Sequence, residues 1–519
     1  MAVSSAGTQV TAKGASRAQS VVFRNLAVLG GSQVVTWTIS LAWTIFVPRA
    51  LQPTGMGELT IATAVTGIIG VLTSLGIATL MVKEIARDQV RTASLVGNAL
   101  LIRALLIVPS IMAVGVYVLV VHAGRELAIV MWLATGMMLV GLLTQPFQSA
   151  FQGLEQMQFN AYGDIVTKAV ASLAGVAMVI IGFRVVGIMA MLLVINVLAL
   201  LLSLWWSRGR FGIDLRLDRD LVRHLVVDSL PYWTTGLVLT FYIWIDSVLL
   251  AVLTPTAVVG WYAVPTKVFN TLLFGAVIVS VVMLPRLSAS FRDGAHALKS
   301  VAKPAVELVL VISFPVAVGA ALVADGLISF VYGSEFAESA KVLVILAFMV
   351  PPTYFNIMAN QVLVAANRQV VWTKVMVAAA IVNPVLNMVL IPYFQTHQHN
   401  GAIGAAVSLL ITEIGMALAG LYLMPAVLDL GSVFRLFRAL GATGGMALVV
   451  WIVSGSGVLV EVVTGSLAFV FLALVLRVLN REEVVLLRNV LARVVSRNSG
   501  YSTTHYHGWD DITARPVGR

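Results

Sequence analysis

The chain has no cysteine in its 519 residues, so disulfides, thiol nucleophiles and cysteine-ligated metals are excluded together. Charge is also scarce. Only 11% of residues are charged against 59% hydrophobic, and a mean hydropathy of +0.97 excludes a soluble globular domain. Runs of short strands with alternating polarity are missing, which excludes a membrane-spanning barrel. No G-x-x-x-x-G-K-[ST] segment occurs and the dipeptide Gly-Lys is absent, so the chain is not its own ATPase and no nucleotide cofactor is expected. The net charge of +10 would suit nucleic acid only if the basic residues gathered on one soluble face. They sort between membrane loops instead, so no nucleic-acid partner is expected. The histidines of "HQH" at 397–399 and "HYH" at 505–507 have no further ligand at helical spacing and read as solvated loop residues, not a metal site.

What the chain does have is apolar runs of about 20 residues, each long enough to cross a hydrocarbon core of about 30 Å. The expected fold is an all-α polytopic membrane protein with fourteen spans, the first two at 26–47 and 58–81. With the N-terminus in the cytoplasm, 26 of the 33 Lys and Arg fall in inner tails and loops, while only Arg49, Arg125, Arg184 and Lys341 fall outside. Both termini are therefore expected in the cytoplasm. Residues 1–23 read as a flexible tail, 24–206 as a first block of six spans and 207–228 as a cytoplasmic linker. A second block of six covers 229–424, two extra spans cover 439–479, and a cytoplasmic tail from 480 to 519 begins with an amphipathic segment. The two blocks carry a short internal repeat: "LQPTGMGELTIATAVTGIIG" at 51–70 and "LTPTAVVGWYAVPTKVFNTL" at 253–272 share L-x-P-T and a following Gly. Paired six-helix halves are a transporter architecture.

Charges within spans are costly, so each needs a reason. Arg103 lies within two turns of an inner helix end and reads as snorkelling to the headgroups. Asp164 with Lys168, and Lys303 with Glu307, are spaced i, i+4 and read as helical ion pairs. Asp246 and Lys267 fall at similar depth in an antiparallel hairpin, within reach of each other. Three readings stand: a pair that fixes the hairpin, a lysine reaching the outer headgroups, or a cation facing an aqueous cavity. Glu413 is too deep to reach either surface, so it faces a cavity or is protonated. Asn356, Asn360, Asn383, Asn387 and Gln361 repeat at helical spacings and read as bonds between helices. A membrane glycosyltransferase would need acidic residues in a sizeable outer loop, and only short turns occur there, so an enzyme is not expected.

Several stretches carry a family resemblance. "IFVPRALQPTGMGELTIATAVTGIIGVLTSLGIATLMVKEIARD", "DSVLLAVLTPTAVVGWYAVPTKV", "LPRLS", "LISFVYGSEFAESAKVLVILAF", "IVNPVLNMVLIPYF" and "GAIGAAVSLLITE" follow one another as in the polysaccharide or O-antigen-type flippases. These belong to the multidrug/oligosaccharidyl-lipid/polysaccharide exporter superfamily, and the chain resembles them from about residue 22 to 480. The resemblance implies two six-helix bundles in a V around a central cavity, with two further helices. It also implies transport of a polyprenyl-pyrophosphate-linked oligosaccharide across the plasma membrane by alternating access, with membrane lipids and a polysaccharide polymerase as partners. Lys267 matches the cationic position of the family's eighth helix, and Arg24 and Lys83 sit where a basic inner vestibule would collect the pyrophosphate. Asp246, Glu413 and Asn360 complete the expected cavity residues. One departure is "YFQTHQHNGAIGAA", longer than the family's turn at that place. A multidrug or cation antiporter, or a scaffold of an envelope-assembly complex, are the competing readings.

Overall fold

The computed structural model describes residues 43–424 and 427–478. The expected tails, Arg24 and most of the first span lie outside the described residues. Helix α1 runs Trp43–Ser74. It is followed by α2 (Ile77–Arg87), α3 (Thr92–Val120), α4 (Arg125–Gly153), α5 (Met157–Ile181), α6 (Val185–Arg208) and the short α7 (Arg219–Val227). The second part comprises α8 (Leu230–Leu253), α9 (Thr256–Leu272), α10 (Phe274–Arg292), α11 (Ala295–Leu322), α12 (Ala324–Tyr332), α13 (Ala337–Ala365), α14 (Gln369–Gln398) and α15 (Gly401–Leu423). Two more, α16 (Leu430–Ile452) and α17 (Val458–Val475), end the described chain. Thirteen of the described helical runs are long and apolar enough to cross a membrane, and the described residues hold no strand. The protein is an all-α, multi-pass membrane protein. Helices are the required solution because lipid offers no partner to backbone N–H and C=O groups.

The loop expected between the first two spans is instead a one-residue joint. Gln52 takes a left-handed φ of 58°, Pro53 follows, and the helix resumes at once, so α1 contains the end of the first span and the second as far as Ser74, while residues 77–81 of the second lie in α2. The long "YFQTHQHNGAIGAA" segment is likewise helix: α14 continues to Gln398, and only His399, at φ 54°, and Asn400 separate it from α15.

Helices α2 to α6 pack mainly among themselves, as do α9 to α15 with α8. The two sets meet along a seam of α1 against α8 and α9. At one end of the seam the two L-x-P-T repeats interlock: a β-carbon on Gly57 would overlap the Thr256 carbonyl, and one on Gly260 would overlap the Pro53 carbonyl. Only glycine lets two backbones approach so closely. Midway, a β-carbon on Gly67 would stand 3.2 Å from the Trp244 indole nitrogen. At the far end Trp233 Nε1 donates to the Val71 and Leu72 carbonyls at 3.0 and 3.2 Å, and Ser229 Oγ donates to the Leu75 carbonyl at 2.6 Å.

Helix α16 is fastened to α11 by charge. Arg435 Nη1 meets Glu307 Oε2 at 2.8 Å, Ser432 Oγ donates to Glu307 Oε1 at 2.6 Å, and Lys303 pairs with Asp429 at 2.5 Å. The Lys303 ammonium, with Ser432, holds the Asp429 carboxyl well below the usual carboxylate range. The expected Lys303–Glu307 pair is part of this network, at 3.9 Å.

Gly260→Ala is expected to part the interlocked repeats and open that end of the seam. In a variant with one cysteine at Thr63, which lines the cavity described below, labelling by a membrane-impermeant maleimide from that side should rise several-fold. Gly124→Ala, where a β-carbon meets nothing within 4 Å, is the control. Equal labelling of the two would show that the glycine contact does not close the seam.

Candidate functional site

A cavity of about 1180 Å³ lies between α1, α4 and α5 on one side and α8, α9, α13 and α15 on the other. Most of its wall is apolar. Thr60, Thr63 and Thr66 recur at every third position of α1 along it, each hydroxyl donating to the carbonyl four residues back, at 2.8, 2.8 and 2.6 Å. The charged groups in the wall are Asp246, Glu413, Lys168 and Lys267.

The two carboxylates are enclosed by donors from other helices. Asp246, 3% exposed on α8, receives Tyr262 Oη on Oδ2 at 2.8 Å and Asn387 Nδ2 on Oδ1 at 2.6 Å. The same Asn387 amide also reaches Asn383 Oδ1 at 3.0 Å. Glu413, 6% exposed on α15, receives Tyr242 Oη on Oε1 at 2.5 Å. Thr353 Oγ1 and Asn356 Nδ2 donate to its Oε2 at 3.0 and 2.8 Å. A carboxylate that accepts bonds on both oxygens has its charge spread over neutral dipoles and needs no cation beside it.

The lysines are treated differently. Lys267 lines the cavity from α9 and forms no ion pair with any described residue. The hairpin contact with Asp246 is not made; its two oxygens accept from Tyr262 and Asn387 instead. Lys168 also lines the cavity, from α5, and the helical pair expected with Asp164 does not form; Asp164 is exposed. Of the two carboxylates spaced to pair with these lysines, Asp246 is held by neutral donors and Asp164 is exposed.

Other expected residues fall elsewhere. Lys83 is exposed on α2 and Asn360 is half-buried on α13; neither lines the cavity. Arg24 lies outside the described residues. Arg103 does not snorkel: it is 2% exposed, and its Nη1 and Nη2 donate to the Thr73 carbonyl and Gln145 Oε1, both at 2.8 Å. It ties α3 to α1 and α4, and the partner that makes this possible, Gln145, carries no charge that pattern reading would register. Asn356, Asn383 and Asn387 bond between or along helices as their spacing predicts, but what they hold are the carboxylates. Tyr242, Tyr262 and Thr353 were hidden among ordinary apolar-span residues.

Comparison with known proteins bears on this arrangement. Residues 22–291 match the family described as "Polysaccharide biosynthesis protein". The chain belongs to this family. It is similar to the probable low-salt glycan biosynthesis flippase Agl15 of Haloferax volcanii, at 26% identity over 170 residues, which are 32% of this chain. That match spans 34% of the curated relative's length. In fold, this polysaccharide biosynthesis protein is similar to the lipid II flippase MurJ in an inward closed conformation, with a TM-score of 0.69 at 14% identity over 86% of this chain and 98% of that one. It is also similar to an inward-facing multidrug resistance MATE family transporter of the MOP superfamily, with a TM-score of 0.61 at 13% identity over 80% and 99% of the two chains. At such identities the likeness speaks for the fold. The family member therefore has the fold of the MOP-superfamily transporters, with its cavity between the two helix sets.

Glu413→Ala in this protein would leave Tyr242, Thr353 and Asn356 without their shared acceptor. The expected loss is about 2–4 kcal/mol of stability, and Glu413→Gln, which keeps one acceptor oxygen, should lose less. Thermal unfolding of the detergent-solubilised protein reads this directly. Unchanged midpoints in both variants would show that the cluster does not hold α8, α13 and α15 together.

Proposed function

We propose that this protein is a flippase that carries a polyprenyl-diphosphate-linked oligosaccharide across the plasma membrane for cell-surface polysaccharide synthesis. The observation that carries the reading is Lys267, a cation in the cavity wall whose nearest expected anion is already bound by neutral donors. A buried ammonium without a counter-ion favours an anionic ligand, because binding replaces an uncompensated charge with a paired one. A diphosphate offers that anion. The largely apolar remainder of the wall suits the lipid and undecorated faces of the sugars, and the threonines of α1 leave their hydroxyl lone pairs for sugar hydroxyls.

The closed seam at the two L-x-P-T repeats supports alternating access, in which that end parts while the opposite end closes. In this reading the termini lie in the cytoplasm, in keeping with the loop charges, and exposed Lys83 on α2 meets the head group at the inner mouth before Lys267 does. No chemical step is involved: the substrate leaves as it entered. The relative named as a glycan biosynthesis flippase is consistent with a lipid-linked glycan as cargo. Membrane lipids surround the helices, and a polysaccharide polymerase on the outer side is the natural acceptor of the cargo.

The test is reconstitution of the purified protein in liposomes with a fluorescent polyprenyl-diphosphate oligosaccharide, read by loss of accessibility on one leaflet. Lys267→Gln should keep its thermal midpoint and slow transfer by about tenfold or more. Wild-type liposomes that move the lipid no faster than protein-free ones would overturn the proposal, and full transfer by the variant would remove Lys267 from it.

A further inference from the structure

Arg103 does not itself line the cavity, yet it decides what one part of the cavity wall can bind. Its Nη2 donates to Gln145 Oε1 at 2.8 Å, a buried tie from α3 to α4. A guanidinium has donors and no acceptor, so the oxygen of the Gln145 amide must face it and the NH2 group must point away. Gln145 lines the cavity, and no described residue accepts from its Nε2, so the NH2 group faces the cavity. An untethered glutamine can turn its amide over and serve as donor or acceptor. Gln145 is held as a donor only, and the positive charge behind its oxygen strengthens its N–H groups.

An acceptor lies within a turn on the same helix. Pro146 sits inside α4 and has no N–H, so the Leu142 carbonyl, four residues earlier, lacks its usual helical partner. Leu142 lines the cavity with Gln145. So does Gly141, where a β-carbon would meet nothing within 4 Å, and the wall is open there. This stretch of α4 therefore offers a fixed N–H donor beside a spare carbonyl. A sugar hydroxyl donates and accepts at one atom, so such a pair does not select it. A carboxylate would gain Gln145 but be repelled by the carbonyl. A secondary amide carries its C=O and its N–H on opposite edges, and set lengthwise along α4 it satisfies both groups.

We infer that Gln145 and the Leu142 carbonyl form a subsite for an acetamido group on the carried saccharide, with Arg103 as the residue that positions Gln145. The inference rests on the flippase reading and narrows its cargo to glycans that bear an N-acetylated sugar. It also gives the buried arginine a second role beside tying α3 to α1 and α4: its charge fixes the sense of a neutral donor that the substrate meets.

The experiment measures equilibrium binding, to the full chain in nanodiscs, of fluorescent polyprenyl-diphosphate N-acetylglucosamine and of the matching glucose lipid, which differ only in the acetamido group. Wild type should bind the acetamido lipid about tenfold more tightly. Gln145→Glu keeps the contact with Arg103, now as an ion pair, and should keep its thermal midpoint; because it has no donor to offer, the preference should fall to within about twofold while the glucose lipid binds as before. Pro146→Ala returns an N–H to the Leu142 carbonyl and should cut the preference several-fold without loss of stability. Arg103→Lys, which can also only donate to the Gln145 oxygen, should retain it. The inference falls if wild type binds the two lipids equally, if Gln145→Glu or Pro146→Ala keeps the wild-type preference, or if Gln145→Glu weakens both lipids alike. An Arg103→Lys variant that keeps its midpoint but loses the preference would remove Arg103 from the subsite. Wild type that binds neither lipid would instead overturn the flippase reading on which the subsite rests.

Discussion

An ammonium group inside a membrane protein must be neutralised, hydrated or paired with a ligand, and among the described residues neither cavity lysine, Lys168 or Lys267, is neutralised by a carboxylate. Burying a charge costs at least about 2.5 kcal/mol on insertion scales, and the usual remedy is a carboxylate on a neighbouring helix. This protein has carboxylates at hand. Asp246 and Glu413 are in the same wall, yet each accepts on both oxygens from hydroxyl and amide donors. Neutral dipoles have thus been placed where cations would ordinarily go. Elsewhere the ordinary remedy is used: Glu307 takes Arg435 directly, and that pair serves to fasten α16 to α11.

The two carboxylate clusters also determine which helices move as one. Asp246 on α8 is bonded to α9 through Tyr262 and to α14 through Asn387, while Tyr242, one turn earlier on α8, reaches Glu413 on α15, which is also held from α13. Sliding α8 past these partners would strand several buried polar groups, at about 1–3 kcal/mol for each. Arg103 does the same for α1, α3 and α4.

Much of this was legible in the sequence, and the exceptions have physical causes. Span positions follow from hydropathy and loop charge because lipid imposes both on every helix. The repeat at 51–70 and 253–272 was readable as a pattern, but its meaning was not: Gly57 and Gly260 are required by contacts between segments two hundred residues apart, which no local rule contains. The joint at Gln52 reads as a loop because Pro, Thr and Gly follow it, and a backbone that changes direction at one residue leaves the same composition as a turn. Side-chain pairing was the weakest guide. Spacing offered Asp164 to Lys168 and Asp246 to Lys267, and neither pair forms: Tyr262 and Asn387 reach Asp246 from other helix positions, and Asp164 is exposed. Periodicity reports which residues are neighbours along one helix; it is silent on neutral donors arriving from a third.

The seam of α1 with α8 and α9 is built from a different kind of interaction. It relies on close backbone approach at glycines and on single bonds from Trp233 and Ser229 to carbonyls at the end of α1. Each carbonyl reached there already has a lone pair to spare, so parting the contact leaves no buried charge and exposes groups that water can meet at the membrane surface. The energetic difference is therefore large: the internal clusters resist shear through several buried polar groups, while the seam yields at the loss of van der Waals contact and a few hydrogen bonds of about 1 kcal/mol each. The cavity wall is drawn from both sides of this seam, from α1, α4 and α5 on one and from α8, α9, α13 and α15 on the other.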